Sequence, residues 1–196
     1  MPLNYTISGA KGTRICYLVF LFNKVKLELV QGDITDIKVD AIVNAANTSL
    51  MGGGGVDGRI HEIAGPRLIE ACKLLGGCDT GQAKITPGFN LPTKYIIHAV
   101  GPVWNGGKSN EEALLKSAYL SCLSIADSNG IRSIAFPNIS TGIYRFPKEK
   151  AALIAIQTTK SYLEKSNIKK VVFVCFDESN YQIYRILLNS VKPGYF

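Results

Sequence analysis

Short apolar runs alternate with segments of helical period along the chain, and this alternation limits the fold more than any other feature. Several runs are apolar at consecutive positions, which is typical of strands buried on both faces; the runs cover residues 16–22, 25–30, 41–43, 95–100, 133–136 and 171–176. Apolar residues recur at helical spacing within residues 111–126, 148–163 and 181–188. We therefore predict an α/β fold, a three-layer α/β/α sandwich with a mixed, mostly parallel central sheet.

The first two runs predict an extra edge strand at the N-terminal side of the sheet. Residues 16–22 and 25–30 can pair as a hairpin across Asn23 and Lys24. A chain of 196 residues fits one ordinary domain. We expect that domain to consist of an N-terminal extension, residues 1–24, and a core unit, residues 25–190.

The apolar runs and the cysteines also bear on location. The longest run, from Ile15 to Phe22, has eight residues, whereas a membrane-spanning helix needs about twenty. No small-residue cleavage pattern follows it, which argues against a signal peptide. The five cysteines are scattered and the two histidines form no Cys/His cluster, a usage that suits a reducing compartment and not a zinc site. We expect a cytoplasmic protein with no membrane partner.

The charge balance restricts the partner only to a broad class. Lysine and arginine number 22 against 15 acidic residues, which gives a net charge of +7. Such a balance favours polyanions, nucleotides or acidic surfaces. Charge alone does not choose among them.

The segment after the third apolar run carries the strongest chemical signal. Asn44 and Asn47 leave the strand, glycines occupy residues 52–55, and a helical segment starts near Asp57 with His61 one turn later. Consecutive glycines let backbone N–H groups approach an anion closely, and a helix N-terminus favours negative charge. We therefore predict a bound phosphate or diphosphate. A flexible turn, and capping roles for the asparagines and Asp57, are the alternatives.

A dinucleotide-binding unit is a competing interpretation of the same glycines. Gly53, Gly55 and Gly58 satisfy the pattern G-x-G-x-x-G. That pattern needs its glycines directly after the strand and an acidic residue about twenty positions later. Here an insertion from Asn44 to Met51 precedes the glycines, which argues against a Rossmann unit, and no Walker A sequence occurs.

A second polar loop follows the predicted strand at residues 133–136. It contains Ser140, Thr141 and Gly142 and is followed by Pro147, which suits the start of the next helix. Its hydroxyls and backbone amides can complete a nest around a phosphate. The two loops together predict a cleft that grips a diphosphate.

Three further residues stand at or within the predicted strands. Asp33 follows the second run, where its carboxylate can accept a hydrogen bond from a base amine. Phe176 ends the last run and offers a face for stacking on a base, although core packing is the commoner use of such a residue. His98 lies inside an apolar run and is interpreted as a core or edge histidine with its hydrogen bonds satisfied, in preference to a ligand.

Together these motifs resemble the macrodomain family, an ADP-ribose-binding α/β/α module, from about Val25 to Leu188. A Gly-Val-Asp sequence followed by a histidine is similar to the MacroD-like hydrolytic class, and the chain resembles small bacterial O-acetyl-ADP-ribose deacetylases. The matching segments, in the family's order, are Gly32-Asp-Ile-Thr35, Val39-Asp-Ala-Ile-Val-Asn-Ala-Ala-Asn47, Gly52-Gly-Gly-Gly-Val-Asp57, Ile60-His61 and Ile139-Ser-Thr-Gly-Ile-Tyr144.

The resemblance implies a role for each matched residue. Asp57 would be the catalytic carboxylate, and Asn47 and His61 would complete the catalytic group. Asp33 and Phe176 would hold the adenine, while the two loops would hold the diphosphate and the distal ribose. The implied substrate-binding residues are Asp33, Ile34, Asn44, Asn47, Gly54, Gly55, Val56, Asp57, Ser140, Thr141, Gly142, Ile143, Tyr144 and Phe176.

The implied activity is hydrolysis of an ester on the distal ribose of ADP-ribose. The ligands would be ADP-ribose or O-acetyl-ADP-ribose, and mono-ADP-ribosylated proteins would be a further class of substrate. Asp57 would orient or deprotonate a water, alone or with the substrate's own phosphate, without a metal or another cofactor. The leading alternative is a non-catalytic reader of ADP-ribosylated proteins. Nucleic-acid binding is a third class, which lacks a recognised reading motif.

One residue departs from the family pattern. Arg145 stands where a glycine commonly follows the aromatic residue of the second loop. We therefore expect a difference in loop geometry or in substrate access at this position.

Overall fold

The computed structural model describes residues 3–8, 14–22 and 24–190 of the chain. The strands are β1 (Leu3–Ser8), β2 (Arg14–Phe22), β3 (Val25–Gln31), β4 (Ala41–Ala46), β5 (Ala83–Pro87), β6 (Tyr95–Val100), β7 (Ser133–Phe136) and β8 (Lys170–Cys175). The α-helices are α1 (Gly55–Ala64), α2 (Pro66–Leu75), α3 (Glu111–Ser128), α4 (Lys148–Leu163) and α5 (Glu178–Ser190).

The strands form one mixed sheet in the order β1-β2-β3-β8-β7-β4-β6-β5. The five inner strands from β3 to β6 run parallel, and antiparallel pairs close both edges. The predicted mixed, mostly parallel sheet is confirmed. The predicted extra N-terminal strand is also confirmed, and it corresponds to β2. A further strand, β1, pairs with β2 and forms the edge of the sheet.

Part of the predicted N-terminal extension lies outside the described residues. These are residues 1, 2 and 9–13 and the hairpin residue Asn23. The pairing of β2 with β3 places the described part of the extension in the same sheet as the core unit. The division of the chain at residues 24 and 25 remains a prediction.

The apolar pattern does not predict β5 or α2. β5 is a short edge strand that ends at Pro87 and, among the described strands, pairs with β6 alone, so few of its residues need to be apolar. α2 has Pro66 at its first position and a left-handed Gly76 at its C-cap, an arrangement that favours helix initiation and termination. Its buried stripe is short, with Leu68 and Cys72 as its buried residues.

The sheet is buried on both faces, which explains why its strands are apolar at consecutive positions. Adjacent residues of β3 show this directly, because Leu29 packs in the cluster with α3, α4 and α5 whereas Val30 packs in the cluster with α1 and α2. The predicted three-layer α/β/α sandwich is confirmed. No helix among the described residues is long and apolar enough to cross a membrane.

The parallel strands bring separate loops to one edge of the sheet. The carboxyl ends of β3, β8, β7 and β4 lie side by side, because these strands are neighbours and parallel. Ligands of open α/β sheets bind at such an edge. The two polar loops of the sequence, after β4 and after β7, therefore meet across it.

Candidate active site

A cleft of about 740 Å³ opens at this edge of the sheet, a volume within the range of small-molecule sites. Asn44 and His61 do not line it; they lie behind Asp57. The remaining predicted residues do line it, and they come from four loops: Asp33, Ile34, Asn47, Gly54, Gly55, Val56, Asp57, Ser140, Thr141, Gly142, Ile143, Tyr144 and Phe176.

Asp57 is the third residue of α1, and its side chain points into a buried polar network. The residue is 3% exposed. Its Oδ1 accepts a hydrogen bond from Asn44 Nδ2 at 2.7 Å and lies 3.5 Å from His61 Nε2. The N-cap of α1 is Gly54, without a side-chain cap, so Asp57 is not a capping residue. Its Oδ2 is buried and has no hydrogen-bond partner among the described residues.

Burial also sets the protonation chemistry around Asp57. Desolvation raises the pKa of Asp57, and the opposing effects of the Asn44 hydrogen bond and of His61 do not cancel it. A carboxylate with a raised pKa is a stronger base once it is ionised. Burial, together with the charge of Asp57, raises the pKa of the Cys72 thiol to about 11, so this neighbouring cysteine is not a thiolate nucleophile.

The glycines of the first loop bring its backbone directly against Asp57. A Cβ on Gly53 would lie 3.0 Å from Asp57 Oδ2, and a Cβ on Gly58 would lie 2.6 Å from the Gly53 carbonyl oxygen. The N–H groups of Gly53, Gly54 and Gly55 donate to no other described residue. This loop therefore offers backbone donors beside the N-terminus of α1, where an anion is favoured.

The carboxamide of Asn47 holds the shape of the same loop. Its Nδ2 donates to the Gly52 carbonyl oxygen at 2.8 Å, and its Oδ1 accepts from the backbone and hydroxyl of Ser49 at 3.0 and 2.6 Å. Asn47 therefore stabilises the turn, which is the alternative role expected from the sequence. Asn47 also lines the cleft. Its side-chain amide can therefore exchange one of these hydrogen bonds for a hydrogen bond to a hydroxyl group of a ligand.

The second loop is held mainly by its own backbone. Arg145 N donates to the Gly142 carbonyl oxygen at 2.9 Å, and Phe146 N donates to the Ser140 carbonyl oxygen at 3.0 Å. Ser140 has a φ of 66°, in the left-handed region. The N–H groups of residues 141–144 donate to no other described residue, so this loop also offers a row of backbone donors.

Arg145 has a left-handed backbone conformation, which glycine adopts more readily than other residues. Its φ is 57°, a value that costs a non-glycine residue about 1–2 kcal/mol. Its side chain is exposed and does not line the cleft. This φ therefore puts local strain at Arg145, and the expected difference in loop geometry or substrate access remains a prediction.

A third loop, residues 101–110 between β6 and α3, packs against the second loop. Trp104 N donates to the Tyr144 carbonyl oxygen at 2.8 Å, and the Trp104 ring packs on Phe146 with centroids 4.7 Å apart. The buried carboxylate of Glu111 accepts from three backbone N–H groups of this third loop, those of residues 105, 107 and 109. Gly101 is required for close packing, because a Cβ there would lie 2.2 Å from Ser140 Oγ.

Asp33 also lines the cleft and is already hydrogen-bonded. Oδ1 accepts from Thr35 N and Thr35 Oγ1 at 2.9 and 2.7 Å, and Oδ2 accepts from Arg59 Nε at 3.0 Å. Burial raises the pKa of this carboxyl, but the hydrogen bonds from Thr35 and Arg59 outweigh burial and lower it. Asp33 is thus an anionic acceptor with one of its roughly four lone-pair positions still open.

The strand-end residues after β8 complete the cleft wall. Phe176 is 82% exposed, so it does not serve core packing and leaves its ring available for stacking. Asp177 accepts from Lys148 Nζ at 3.0 Å and from Asn180 Nδ2 at 2.7 Å. The two basic residues in the lining, Lys148 and Arg59, are therefore both paired with carboxylates, and the net charge does not supply a free cation in this cleft.

The sequence motifs do not predict all of the residues that line the cleft. Arg59 follows Asp57 by two positions on α1, and Lys148 begins α4 after the second loop, so both adjoin motifs that were recognised. Gly101 and Asn180 carry no local signal, because their place at the cleft follows from strand order alone. Among the described residues, no group of three or more His, Cys, Asp and Glu side chains is arranged to hold a metal ion.

Comparison with known proteins agrees with the fold and the motifs. The family model described as Macro domain matches residues 43–155. The O-acetyl-ADP-ribose deacetylase of Salmonella gallinarum is 53% identical over 170 residues, covering 84% of this chain and 95% of the relative. The O-acetyl-ADP-ribose deacetylase 1 of Pantoea vagans is 52% identical over 169 residues, covering 84% of this chain and 99% of the relative.

Solved structures give the same result. A macrodomain of Oceanobacillus iheyensis with ADP superposes with a TM-score of 0.87 at 42% identity, covering 90% of this chain and 97% of that chain. A macrodomain of Trypanosoma brucei in complex with ADP-ribose superposes with a TM-score of 0.79 at 43% identity, covering 83% and 68%. The resemblance seen in the motifs is confirmed, and the chain belongs to the macro domain family.

Proposed function

We propose that this protein binds ADP-ribose and hydrolyses esters on its distal ribose, with acetate release from O-acetyl-ADP-ribose as the principal reaction. The observation that carries the proposal is the position of Asp57, a buried carboxylate with a raised pKa, between two loops of unpaired backbone donors. Relatives named O-acetyl-ADP-ribose deacetylase and a neighbouring structure in complex with ADP-ribose support the same assignment.

The cleft suits an extended ligand with an adenine at one end and a ribose at the other. Asp33 accepts from the adenine amine and Phe176 stacks on the base. The two loops hold the diphosphate through backbone N–H groups. We expect the distal ribose to lie beside Asn47 and Asp57, so that the binding energy of the diphosphate is realised away from the reacting carbon.

The reaction is ordinary ester hydrolysis. Asp57 takes a proton from a water, whose oxygen attacks the acetyl carbonyl carbon. The tetrahedral intermediate then expels the ribose oxygen, which takes up the proton, so that acetate and ADP-ribose are the products. An ionised Asp57 is required, and its raised pKa makes it a stronger base than a solvent-exposed aspartate.

Asp57 is little exposed to water when no ligand is bound. Its Oδ2 is buried beneath Gly53, and Oδ1 is bonded to Asn44. We infer that the glycine loop shifts on ligand binding and exposes the carboxylate. Catalytic contacts commonly tighten only when the substrate is bound.

The second candidate function is a non-catalytic reader of mono-ADP-ribosylated proteins. The shielding of Asp57 by Gly53 favours it, because a reader needs no exposed base. If the protein is a hydrolase, the same proteins are a second class of substrate, since an aspartyl or glutamyl ester of ADP-ribose presents the same bond. The cytoplasm is the compartment that fits the four buried free cysteines of the described residues.

The deciding experiment measures acetate release and ADP-ribose affinity for the wild type and Asp57→Asn. We expect Asp57→Asn to lower kcat by about 1,000-fold with an ADP-ribose Kd within about threefold of the wild type. Glu70→Gln, an exposed acid on α2, is the control and should change neither quantity. A wild type that binds ADP-ribose and hydrolyses neither ester is a reader, and a wild type that does not bind ADP-ribose refutes both functions.

A further inference from the structure

A chain of buried polar side chains continues behind Asp57, away from the cleft and across two strands. Asn44 Nδ2, which donates to Asp57 Oδ1 at 2.7 Å, also lies 3.1 Å from Nδ1 of His98. Nε2 of His98 lies 2.9 Å from Oγ1 of Thr86 on the edge strand β5. Asn44 and His98 are fully buried and Thr86 is 4% exposed.

The sheet itself fixes the first part of this chain. Asn44 on β4 and His98 on β6 are direct partners in the parallel register of the two strands. Their side chains project from the same face, and both belong to rigid inner strands. The proximity of the carboxamide and the imidazole is therefore a consequence of the fold and not of a mobile loop.

The hydrogen-bonding roles in the chain follow from the chemistry of each group. Asp57 accepts, so the carboxamide of Asn44 must present its N–H₂ group to the carboxylate. The second N–H of that group faces His98 Nδ1, which can accept only if it carries no proton. A neutral imidazole then has its proton on Nε2, which donates to Thr86 Oγ1.

The surroundings keep His98 in that neutral form. Burial lowers the pKa of His98 to about 3, and the nearby His61 contributes in the same direction. The ring of His61 is 6.5 Å away, centroid to centroid. Cys72 Sγ, at 3.8 Å from Nε2, is a thiol because its own pKa is raised, so it does not draw a second proton onto the imidazole.

We propose that His98 is a positioning residue for the hydrolysis: its unprotonated Nδ1 fixes the Asn44 carboxamide so that N–H, and not the carbonyl oxygen, faces Asp57. The inference rests on the proposed role of Asp57. The Asn44 Oδ1 atom is buried without a partner among the described residues, so the carboxamide is not held by its oxygen. Without His98 it can rotate and present that oxygen to the carboxylate, which repels Asp57 from its working position.

The interpretation of His98 as a core histidine with satisfied hydrogen bonds makes a different prediction. A core residue of that kind contributes to stability, and its replacement changes Tm in proportion to any loss of activity. A positioning residue changes kcat at constant substrate binding, because His98 and Asn44 do not line the cleft in which the substrate would bind.

Two amide substitutions separate the functions of the two ring nitrogens. In His98→Asn the amide oxygen falls near the position of Nδ1 and keeps the acceptor for Asn44. In His98→Gln the amide falls near Nε2, so the contact with Thr86 is kept and the acceptor for Asn44 is lost. Thr86→Val removes the contact between Thr86 and His98, which lies at the far end of this series of hydrogen bonds, and leaves Asn44 unchanged.

We expect His98→Gln to lower kcat on the order of 100-fold, the cost of a misplaced catalytic group, with KM and ADP-ribose Kd within about twofold of the wild type. The separate variants His98→Asn and Thr86→Val should each have a kcat within about threefold of the wild type. The inference is overturned if the two His98 variants lose kcat equally, or if the losses follow Tm.

A second measurement does not depend on variants that fold. The chain has two histidines, so imidazole ¹⁵N spectra of tag-free protein resolve both rings. We expect His98 to remain neutral with its proton on Nε2 between pH 5 and pH 8, as a ring of such low pKa must. A proton on Nδ1 overturns the inference. A wild type without turnover refutes the proposed function, and the spectra then decide the His98 geometry separately.

Discussion

The two loops that face each other across the cleft are built on different principles. The first loop, after β4, is organised by side chains: Asn47 bonds to Gly52, and Asp57 is held by Asn44. The second loop, after β7, is organised by backbone turns and by left-handed residues such as Ser140. Both expose unpaired N–H groups, but only the first brings a buried carboxylate to the cleft.

This difference separates chemistry from binding. Side chains of the first loop can take or direct a proton, so changes there should appear in kcat. The second loop offers backbone donors in a fixed shape, so changes there should appear in KM and Kd, or in stability where the shape itself is lost. The following predictions test this separation.

Gly101→Ala should destroy the shape of the second loop. The added Cβ would lie 2.2 Å from Ser140 Oγ and 2.5 Å from Ile139 Cγ2. Overpacking of this kind costs about 3 kcal/mol, and ADP-ribose binding should be lost as Ser140 is displaced. Gly142→Ala is the matched control for stability, because no atom lies within 4 Å of its Cβ position. Equal unfolding midpoints for the two variants in urea would show that the second loop does not depend on this contact.

Glu111→Gln should loosen the second loop indirectly. The carboxylate accepts from the N–H groups of Asn105, Gly107 and Ser109, and an amide can supply only one oxygen acceptor. Trp104 then supports Tyr144 less well, so we expect KM for O-acetyl-ADP-ribose to rise about fivefold at nearly constant kcat. A change in kcat without a change in KM would contradict the assignment of substrate binding to the second loop.

The neighbouring residue provides a control for charge. Glu112→Gln removes one negative charge from the same turn of α3, where the exposed Glu112 forms a surface ion pair with Lys150. Steady-state kinetics of Glu112→Gln should match the wild type.

Asp57→Asn should stabilise the fold at neutral pH although it lowers kcat by about 1,000-fold. Because the pKa of Asp57 is raised on folding, ionisation is less favourable in the folded than in the unfolded chain. The wild type therefore loses stability as pH rises through the unfolded and then the folded pKa, whereas the variant does not. We expect the Tm of the variant to exceed that of the wild type at pH 7 and the difference to shrink below pH 4. A difference that is independent of pH would contradict the raised pKa.

Arg145→Gly should have the smallest effect. Relief of a left-handed φ gains about 1–2 kcal/mol, and the added freedom of glycine in the unfolded chain removes about 0.5–1 kcal/mol of that gain. We expect Tm to rise slightly and both kcat and KM to stay unchanged, because Arg145 lies outside the cleft lining. A change in KM would show that this side chain reaches the substrate.

The sequence predicts the inner sheet and the loops well because their signals are local. Strands buried on both faces are apolar at consecutive positions, and the glycines at residues 52–55 lie in the loop that follows one of them. β5 escapes prediction because a half-exposed edge strand ending at Pro87 has little apolar character. α2 escapes it because its short stripe is recognisable mainly by the flanking Pro66 and Gly76.

The polar residues behind the site are the part that the sequence could not assign. Asn44 is recognisable as a strand-end amide, but its contact with His98 depends on β4 and β6 being neighbours in a given register. The roles of Glu111 and Gly101 likewise depend on contacts between loops that are far apart in the chain. Such contacts are set by strand order, which a single sequence does not contain.

The separation of chemistry from binding is tested most directly by single-turnover acetate release at varied enzyme concentration, for the wild type, Asn44→Ala and Gly142→Ala. We predict that Asn44→Ala lowers the limiting rate on the order of 100-fold and leaves the half-saturating concentration unchanged. Gly142→Ala should raise the half-saturating concentration about tenfold at the wild-type limiting rate. If both variants alter the same parameter, or if the two effects are exchanged, the assignment of chemistry to the first loop and binding to the second is contradicted.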